Sequence, residues 1–362
     1  MIPAARPEIG QEERTAVDSV LKSGNLAQGT EVEAFEAEFS KVAVEGANCI
    51  AVNSGTSALH LALLASGIGN GDEVIVPSFT FAATANSVAL TGATPIFADI
   101  DSNFFCLDPN SVESKITSKT KAIMPVHLYG HPADMETFNH LKEKYDLMII
   151  EDSAQAHLAS IGNKKIGTLG LAGCFSFYPT KNMTSGEGGM VTTFDKDIAR
   201  KVRLLRNQGQ EQRYKNELVG FNNRMTDIHA AIGRVQLTKL ENWTLKRQSN
   251  ASFYDKNLKG VITPPVRINA THVYHQYTIR IKDLDRDRFA DELKKQGIGS
   301  GVYYPTPTHR LAAYNLNLDL PETEKATQEV LSLPIYPSLS TAELEKVVDA
   351  VNRIANFGIG NG

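Results

Sequence analysis

Lys181 stands where a β-rich run ends in hydroxyls and a glycine-rich turn begins, in Phe175-Ser-Phe-Tyr-Pro-Thr-Lys181-Asn-Met-Thr-Ser-Gly-Glu-Gly-Gly189. A lone lysine is ordinarily a solvated charge. Here flanking aromatics and a close-packed turn can strip water from the amine, and desolvation lowers an amine pKa toward nucleophilic use. Glu151-Asp152 follows the apolar run 147–150, which puts a carboxylate at the C-terminal edge of a parallel sheet, where open α/β folds bind ligands. Taken alone, such an aspartate also reads as a turn or cap residue. Asn53-Ser54-Gly55-Thr56-Ser57 lies between a strand and a helix, and free N–H groups, the helix dipole and hydroxyls there favour a phosphate. Its plainer reading is an N-cap with a glycine turn. A phosphate cradle, a carboxylate and a shielded lysine are together what a pyridoxal phosphate site requires. The lysine forms a Schiff base and the carboxylate pairs with the pyridinium nitrogen. Those requirements alone leave other uses of the same residues open.

The elements that must position these groups alternate from about residue 12 to 258, short β-rich runs with longer segments of helical period, which predicts an α/β fold with a mostly parallel sheet. Strands are predicted at 48–52, 73–76, 94–98, 121–126, 147–150, 174–178 and 189–194, and helices at 57–66, 81–90, 134–145 and 196–207. The proline-free segment 226–258 predicts one helix, or a kinked pair, bridging two domains. After Gly260 and Pro264-Pro265 the pattern changes: 273–281 alternates like a strand, 285–296 is helical, and Ser340-Thr-Ala-Glu343 is a capping box opening a last helix. The expected division is a large α/β domain, 1–258, including an N-terminal arm and the long connecting helix, and a smaller α+β domain, 259–362. The terminal Gly358-Ile-Gly-Asn-Gly362 reads as frayed.

Composition narrows the function classes. At 362 residues, 42% hydrophobic and 22% charged, the chain is an ordinary globular one, too long for a single core. With 37 basic against 41 acidic residues, net charge −4 and pI about 6.2, no basic excess is available to neutralise a nucleic-acid backbone. Cys49, Cys106 and Cys174 are too dispersed for a disulfide framework, so a reducing compartment fits. No apolar run approaches the ~20 residues of a membrane span, and the N-terminus has no apolar leader segment. A cytoplasmic protein with no membrane or nucleic-acid partner is expected.

The order of local sequences resembles one family along nearly the whole chain. Ile9-Gly-Gln-Glu-Glu13, Gly71-Asp-Glu-Val-Ile-Val-Pro77, Val126-His-Leu-Tyr-Gly130, Glu151-Asp-Ser-Ala-Gln155, Ser176-Phe-Tyr-Pro-Thr-Lys181, Gly186-Glu-Gly-Gly189 and Gly220-Phe-Asn-Asn-Arg-Met-Thr-Asp227 are together similar to the DegT/DnrJ/EryC1/StrS aminotransferases of nucleotide-linked sugars. The resemblance implies fold type I of the pyridoxal phosphate enzymes, with a large domain whose mostly parallel mixed sheet lies between helices and a smaller C-terminal α+β domain. It also implies a homodimer with shared active sites and pyridoxal 5′-phosphate held by Lys181. On the same basis Asp152 matches the partner of the pyridine nitrogen, Gly55, Thr56, Ser57 and Ser176 match the phosphate site, Phe81 the ring over the cofactor and Gln155 a side chain beside it. Asn222 matches an asparagine reaching the phosphate from the neighbouring subunit, Arg224 belongs to the shared substrate site, and Tyr304 and His309 match the sugar-lining segment. Leu158 stands where the family commonly has glycine, and Leu171 where it often has aspartate.

The implied reaction is ping-pong transamination. An amino acid, L-glutamate by resemblance, leaves its nitrogen on the cofactor as the pyridoxamine form, which then aminates a keto-sugar linked to a nucleotide. Gly220-Phe-Asn-Asn-Arg-Met-Thr226 leans toward 4-keto-6-deoxy sugars, with a 3-keto-sugar or cyclitol aminotransferase of the same family as the alternative. Members with histidine in place of the lysine act as dehydratases, and Lys181 argues against that. Among rivals are a dinucleotide oxidoreductase, against which the lack of both a G-x-G-x-x-G between strand and helix and a Walker G-x-x-x-x-G-K-[ST] speaks, and a metal hydrolase. His127 and His131 are four apart but span a glycine and precede Pro132, so they read as satisfied histidines and no metal is expected. A non-catalytic pyridoxal phosphate-binding regulatory protein remains the rival of another class, against which the intact Lys181 and Asp152 speak.

Overall fold

The computed structural model describes residues 1–282 and 284–357, so the terminus predicted to fray lies outside the described residues. Helices α1 (Gln11–Ser23) and α2 (Thr30–Ala43) precede the first strand, β1 (Asn48–Val52). Then follow α3 (Gly55–Ala65), β2 (Glu73–Pro77), α4 (Ala83–Leu90), β3 (Thr94–Ala98), α5 (Pro109–Glu113), β4 (Thr120–Ile123), α6 (Met135–Tyr145) and β5 (Met148–Asp152). A short hairpin, β6 (Ser160–Ile161) and β7 (Lys164–Lys165), leads to β8 (Ala172–Ser176), β9 (Gly189–Thr193) and α7 (Lys196–Arg206). These strands, the hairpin apart, form one sheet in the order β1-β9-β8-β5-β4-β2-β3. Only β9 runs against the others, pairing antiparallel with both β1 and β8. The sheet is therefore mixed and mostly parallel, and the C-terminal ends of β1, β2, β5 and β8 share one edge.

The apolar runs predicted this. The central strands are buried on both faces, for example all five residues of β8, as a parallel sheet covered by helices requires. Strand β1, at the sheet's edge, is blunted: Ala51 N–H donates to Glu36 (2.8 Å), Arg206 donates to the Ala51 carbonyl (2.7 Å), and Asn53 N–H donates to the Asn223 carbonyl (2.9 Å). Satisfying these groups removes a template for unwanted strand pairing. The run 121–126 ends early as a strand, at Ile123, and Val126 pairs only as a bridge to Asp152.

The rest of the chain comprises a hairpin, β10 (Gln210–Gln212) and β11 (Lys215–Asn216), the helix α8 (Asp227–Asn257), β12 (Ala270–Thr271), β13 (Tyr277–Arg280), α9 (Arg286–Lys295), α10 (Pro321–Glu329), β14 (Val330–Leu333) and α11 (Thr341–Phe357). Helix α8 is one unbroken element of 31 residues, capped by Thr226, whose hydroxyl accepts from His229 N–H. Its close approach to α2 depends on Gly233, where a Cβ would meet the Phe35 ring at 2.8 Å. The predicted capping box is present: Glu343 accepts from Ser340 N–H and the Ser340 hydroxyl accepts from Glu343 N–H.

Two of the buried clusters bear on the expected division at 258. One, under the large sheet, packs α3 and α4 against β1, β2 and β8. The other joins β13, β14, α9 and α11 with Ala251, Tyr254 and Leu258 from the end of α8, and with Ile2 from the N-terminal arm. Ile2 exchanges backbone hydrogen bonds with Gly297 and Gly299. The arm therefore begins by packing Ile2 into the second core.

Candidate active site

Four strand ends and the turns after them enclose a cavity of about 610 Å³ lined by Gly55, Thr56, Thr80, Phe81, Thr84, Tyr129, Asp152, Gln155, Ser176, Lys181, His275 and Tyr304, among others. Asp152 ends β5 and is buried. Burial pushes its carboxyl above the usual range, opposed by the Thr84 hydroxyl (2.8 Å) and Ala154 N–H (3.2 Å), which both donate to it, and by Lys181. Lys181 follows β8 in a turn held by its N–H to the Tyr178 carbonyl (2.9 Å). Its side chain is half-buried and lines the cavity, and desolvation pushes the amine down to about 8 against the pull of Asp152. Burial likewise keeps His275 and His157 neutral, His157 pushed down to about 3. Asp152 and Lys181 thus form a carboxylate and a partly unprotonated amine within one cavity.

The end of β1 leads straight into α3, whose N-cap is Ser54, accepting from Ser57 N–H at 3.1 Å. The first amides of the helix, at Gly55 and Thr56, have no carbonyl partner within it and face an anion with the positive end of the dipole. The cradle is tight: a Cβ on Gly55 would meet Ser176 Cβ at 2.7 Å, and one on Gly189 would meet the Ser54 carbonyl oxygen at 2.3 Å. These residues fit pyridoxal phosphate. The helix terminus with the Thr56 and Ser176 hydroxyls suits its phosphate, Asp152 a protonated ring nitrogen, and the desolvated Lys181 amine its aldehyde.

The other predicted site residues divide. Phe81 stands at the mouth, 60% exposed, with its ring centroid 6.1 Å from that of Tyr304. Gln155 lines the cavity with its amide pinned, the oxygen accepting from Tyr129 N–H (2.7 Å) and the nitrogen donating to the Tyr304 hydroxyl (3.1 Å). Ser57 is not among the lining residues; its hydroxyl accepts from that of Ser54 at 3.0 Å. His309 is brought behind the wall rather than into it, fully buried, with Nδ1 2.6 Å from the Ser78 hydroxyl and Nε2 3.4 Å from Glu324. Asn222 and Arg224 do not reach their own chain's cavity: Asn222 is exposed, and Arg224 donates to the Asn207 side chain at 2.7 Å. Sequence reasoning missed Thr84, Thr80, Tyr129 and His275. The hydroxyls of Thr80 and Thr84, one helical turn apart beside Phe81, were the available signal.

His127 is a satisfied histidine, its Nε2 3.1 Å from Glu151 and its Nδ1 accepting from Ala133 N–H. Among the described residues no group of three or more His, Cys, Asp or Glu is placed to hold a metal, and no helix is long and apolar enough to cross a membrane.

The sequence matches the DegT/DnrJ/EryC1/StrS aminotransferase family over residues 7–352. It is 41% identical to the dTDP-3-amino-3,4,6-trideoxy-α-D-glucose transaminase of Streptomyces venezuelae, covering 98% of this chain and 95% of that one. It is also 41% identical to a pleiotropic regulatory protein of Geobacillus stearothermophilus, over 97% and 95% of the two chains. The fold is similar to that of the sugar aminotransferase Spr1654 of Streptococcus pneumoniae in its pyridoxamine phosphate form, with TM-score 0.94 at 27% identity over 99% and 100% of the chains.

Proposed function

The chain belongs to the DegT/DnrJ/EryC1/StrS aminotransferase family, and from that premise we propose that it moves an amino group from L-glutamate to a keto carbon of a nucleotide-linked sugar. It is an aminotransferase, and its cofactor is pyridoxal 5′-phosphate, with the pyridoxamine form as carrier. The observation that carries the reading is the placing of a desolvated Lys181 and a buried Asp152 in one cavity with the α3 N-terminus. When bound, the cofactor supplies an electron sink that makes the donor α-proton acidic.

The chain's own residues do the rest. Asp152 holds a proton on the ring nitrogen, as an ionised carboxylate can and an amide cannot. Lys181 Nζ, unprotonated in part at neutral pH, takes the proton from the donor α-carbon and returns one to the sugar carbon. Gly55, Thr56 and Ser176 hold the phosphate, and Phe81 and Tyr304 narrow the mouth where a sugar enters. A second chain completes the site. Lys181 is the one lysine or arginine among the described lining residues, too few for a phosphate and a nucleotide diphosphate together. Arg224 and Asn222 of a partner subunit supply what is missing, in a two-fold dimer.

A half-reaction tests this. Enzyme loaded with glutamate loses the long-wavelength cofactor absorbance and releases 2-oxoglutarate. Nucleotide keto-sugars are then added one at a time, and the right one restores the band. NMR of the product gives the aminated carbon: the 227-side motif Gly220–Thr226 leans to C4, whereas the S. venezuelae relative's name gives C3. A regulatory protein that only binds cofactor would leave the band unchanged by glutamate.

A further inference from the structure

Asp152 is held by a chain of two hydroxyls. Thr84, one turn into the segment after Phe81, donates to Asp152 Oδ2 at 2.8 Å, and its oxygen lies 3.0 Å from the Thr80 hydroxyl. A threonine hydroxyl has one proton, and that of Thr84 is committed to the carboxylate. The Thr80 hydroxyl must therefore donate to Thr84, so the two bonds point the same way and polarise each other. Both threonines are buried, at 3% and 1% exposure. The Thr80 carbonyl accepts from the Thr308 hydroxyl (3.0 Å), and Thr308 N–H donates to the Ser78 carbonyl (2.8 Å). His309, bonded to Ser78, fastens the same join. The segment carrying Tyr303 and Tyr304 is thus tied through Thr80 and Thr84 to the carboxylate.

We propose that Thr84 is a positioning residue for the reaction, its hydroxyl fixing the orientation and ionisation of Asp152, with Thr80 donating to Thr84, reinforcing that hydrogen bond and coupling it to the sugar-side segment. The inference rests on the reading of Asp152 as partner of the ring nitrogen. Burial works against an ionised Asp152, and the Thr84 bond is the largest of the contacts that oppose it. Removing it raises the pH below which the carboxylate takes up a proton.

The test compares Thr84→Val, Thr84→Ser, Thr80→Val and Asp152→Asn as holoenzymes, by equilibrium dialysis of pyridoxal phosphate and by cofactor absorbance from pH 5 to 9, with melting curves alongside. Thr84→Val should weaken cofactor retention about 10- to 100-fold, the range for a lost hydrogen bond to a charged group, and move its acid limb to higher pH. Thr84→Ser should restore both to within about threefold, and Thr80→Val should give a smaller shift of the same sign. A Thr84→Val enzyme with wild-type affinity and pH profile overturns the inference, even if it melts lower. If Asp152→Asn also retains cofactor and spectrum unchanged, the reading of the site falls with it; if Asp152→Asn loses both, only the role of Thr84 falls.

Discussion

A solvated lysine is unprotonated at pH 7 in about one chain in a few thousand, whereas Lys181, pushed down to about 8, is so in on the order of one chain in ten. The same burial carries a stability cost with a defined sign. Between about pH 8 and 10.5 the unfolded chain holds a proton on this lysine that the folded apoprotein has lost, so stability rises with pH across that window. Below it the cost is full, up to roughly 3 kcal/mol before water in the cavity is allowed for. Lys181→Met apoprotein should therefore melt higher than wild type at pH 7, by a margin that shrinks as pH rises through that window; a margin independent of pH would mean the amine is solvated. Lys181→Ala should abolish turnover yet still capture cofactor, since the phosphate cradle and Asp152 remain. Borohydride should then fail to attach the cofactor to the protein, and labelling of the variant would identify another lysine as the anchor. Asp152→Asn should fold and lose most activity, and near-normal transamination would reduce the aspartate to a cap.

The strand ends and the turns after them hold these groups with little slack, and glycine makes the tightest of the approaches possible. Gly189→Ala places a methyl 2.3 Å from the Ser54 carbonyl oxygen, a backbone atom that cannot turn aside. Overpacking of that kind costs about 1–3 kcal/mol, and here it also displaces the α3 N-terminus. The expected result is a lower melting temperature with cofactor affinity reduced at least tenfold by titration; unchanged affinity would show that the cradle does not bind the phosphate. Strands β1 and β3, the two edges of the sheet, were legible to the residue, because each is a short, mostly apolar run between polar turns. The 81–90 helix was less so: α4 starts at Ala83, and nothing local sets the Thr84 hydroxyl that meets Asp152 apart from Asn86 and Ser87 in the same helix. Its partner lies 68 residues away, a distance no local pattern encodes. Leu158 shows the opposite case. Its φ of 67° is the left-handed conformation that explains why glycine is common there in the family, and packing of its side chain against two buried clusters offsets a cost of about 1–2 kcal/mol.

At the scale of the molecule, the chain brings Lys181 and Asp152 to the lining of one site and leaves Asn222 and Arg224, expected to finish it, outside that lining. Arg224 sits beside β1, bridging to Val52, and neither it nor Asn222 lines the cavity of its own chain. Just before them Tyr214 is 81% and Val219 90% exposed. The two-fold dimer proposed above would build each site from Lys181 of one chain and Asn222 and Arg224 of the other. Lys181→Ala and Arg224→Ala enzymes, each nearly inactive alone, should then complement when unfolded and refolded together. With random pairing half the dimers are mixed, and each mixed dimer has one site free of both changes, so activity should return to about a quarter of wild type. Were both residues to serve a site within one chain, every site would carry a lesion and mixing would restore nothing. That outcome would remove the shared site while leaving the cofactor chemistry of Lys181 and Asp152 untouched, because neither residue depends on the partner for its position.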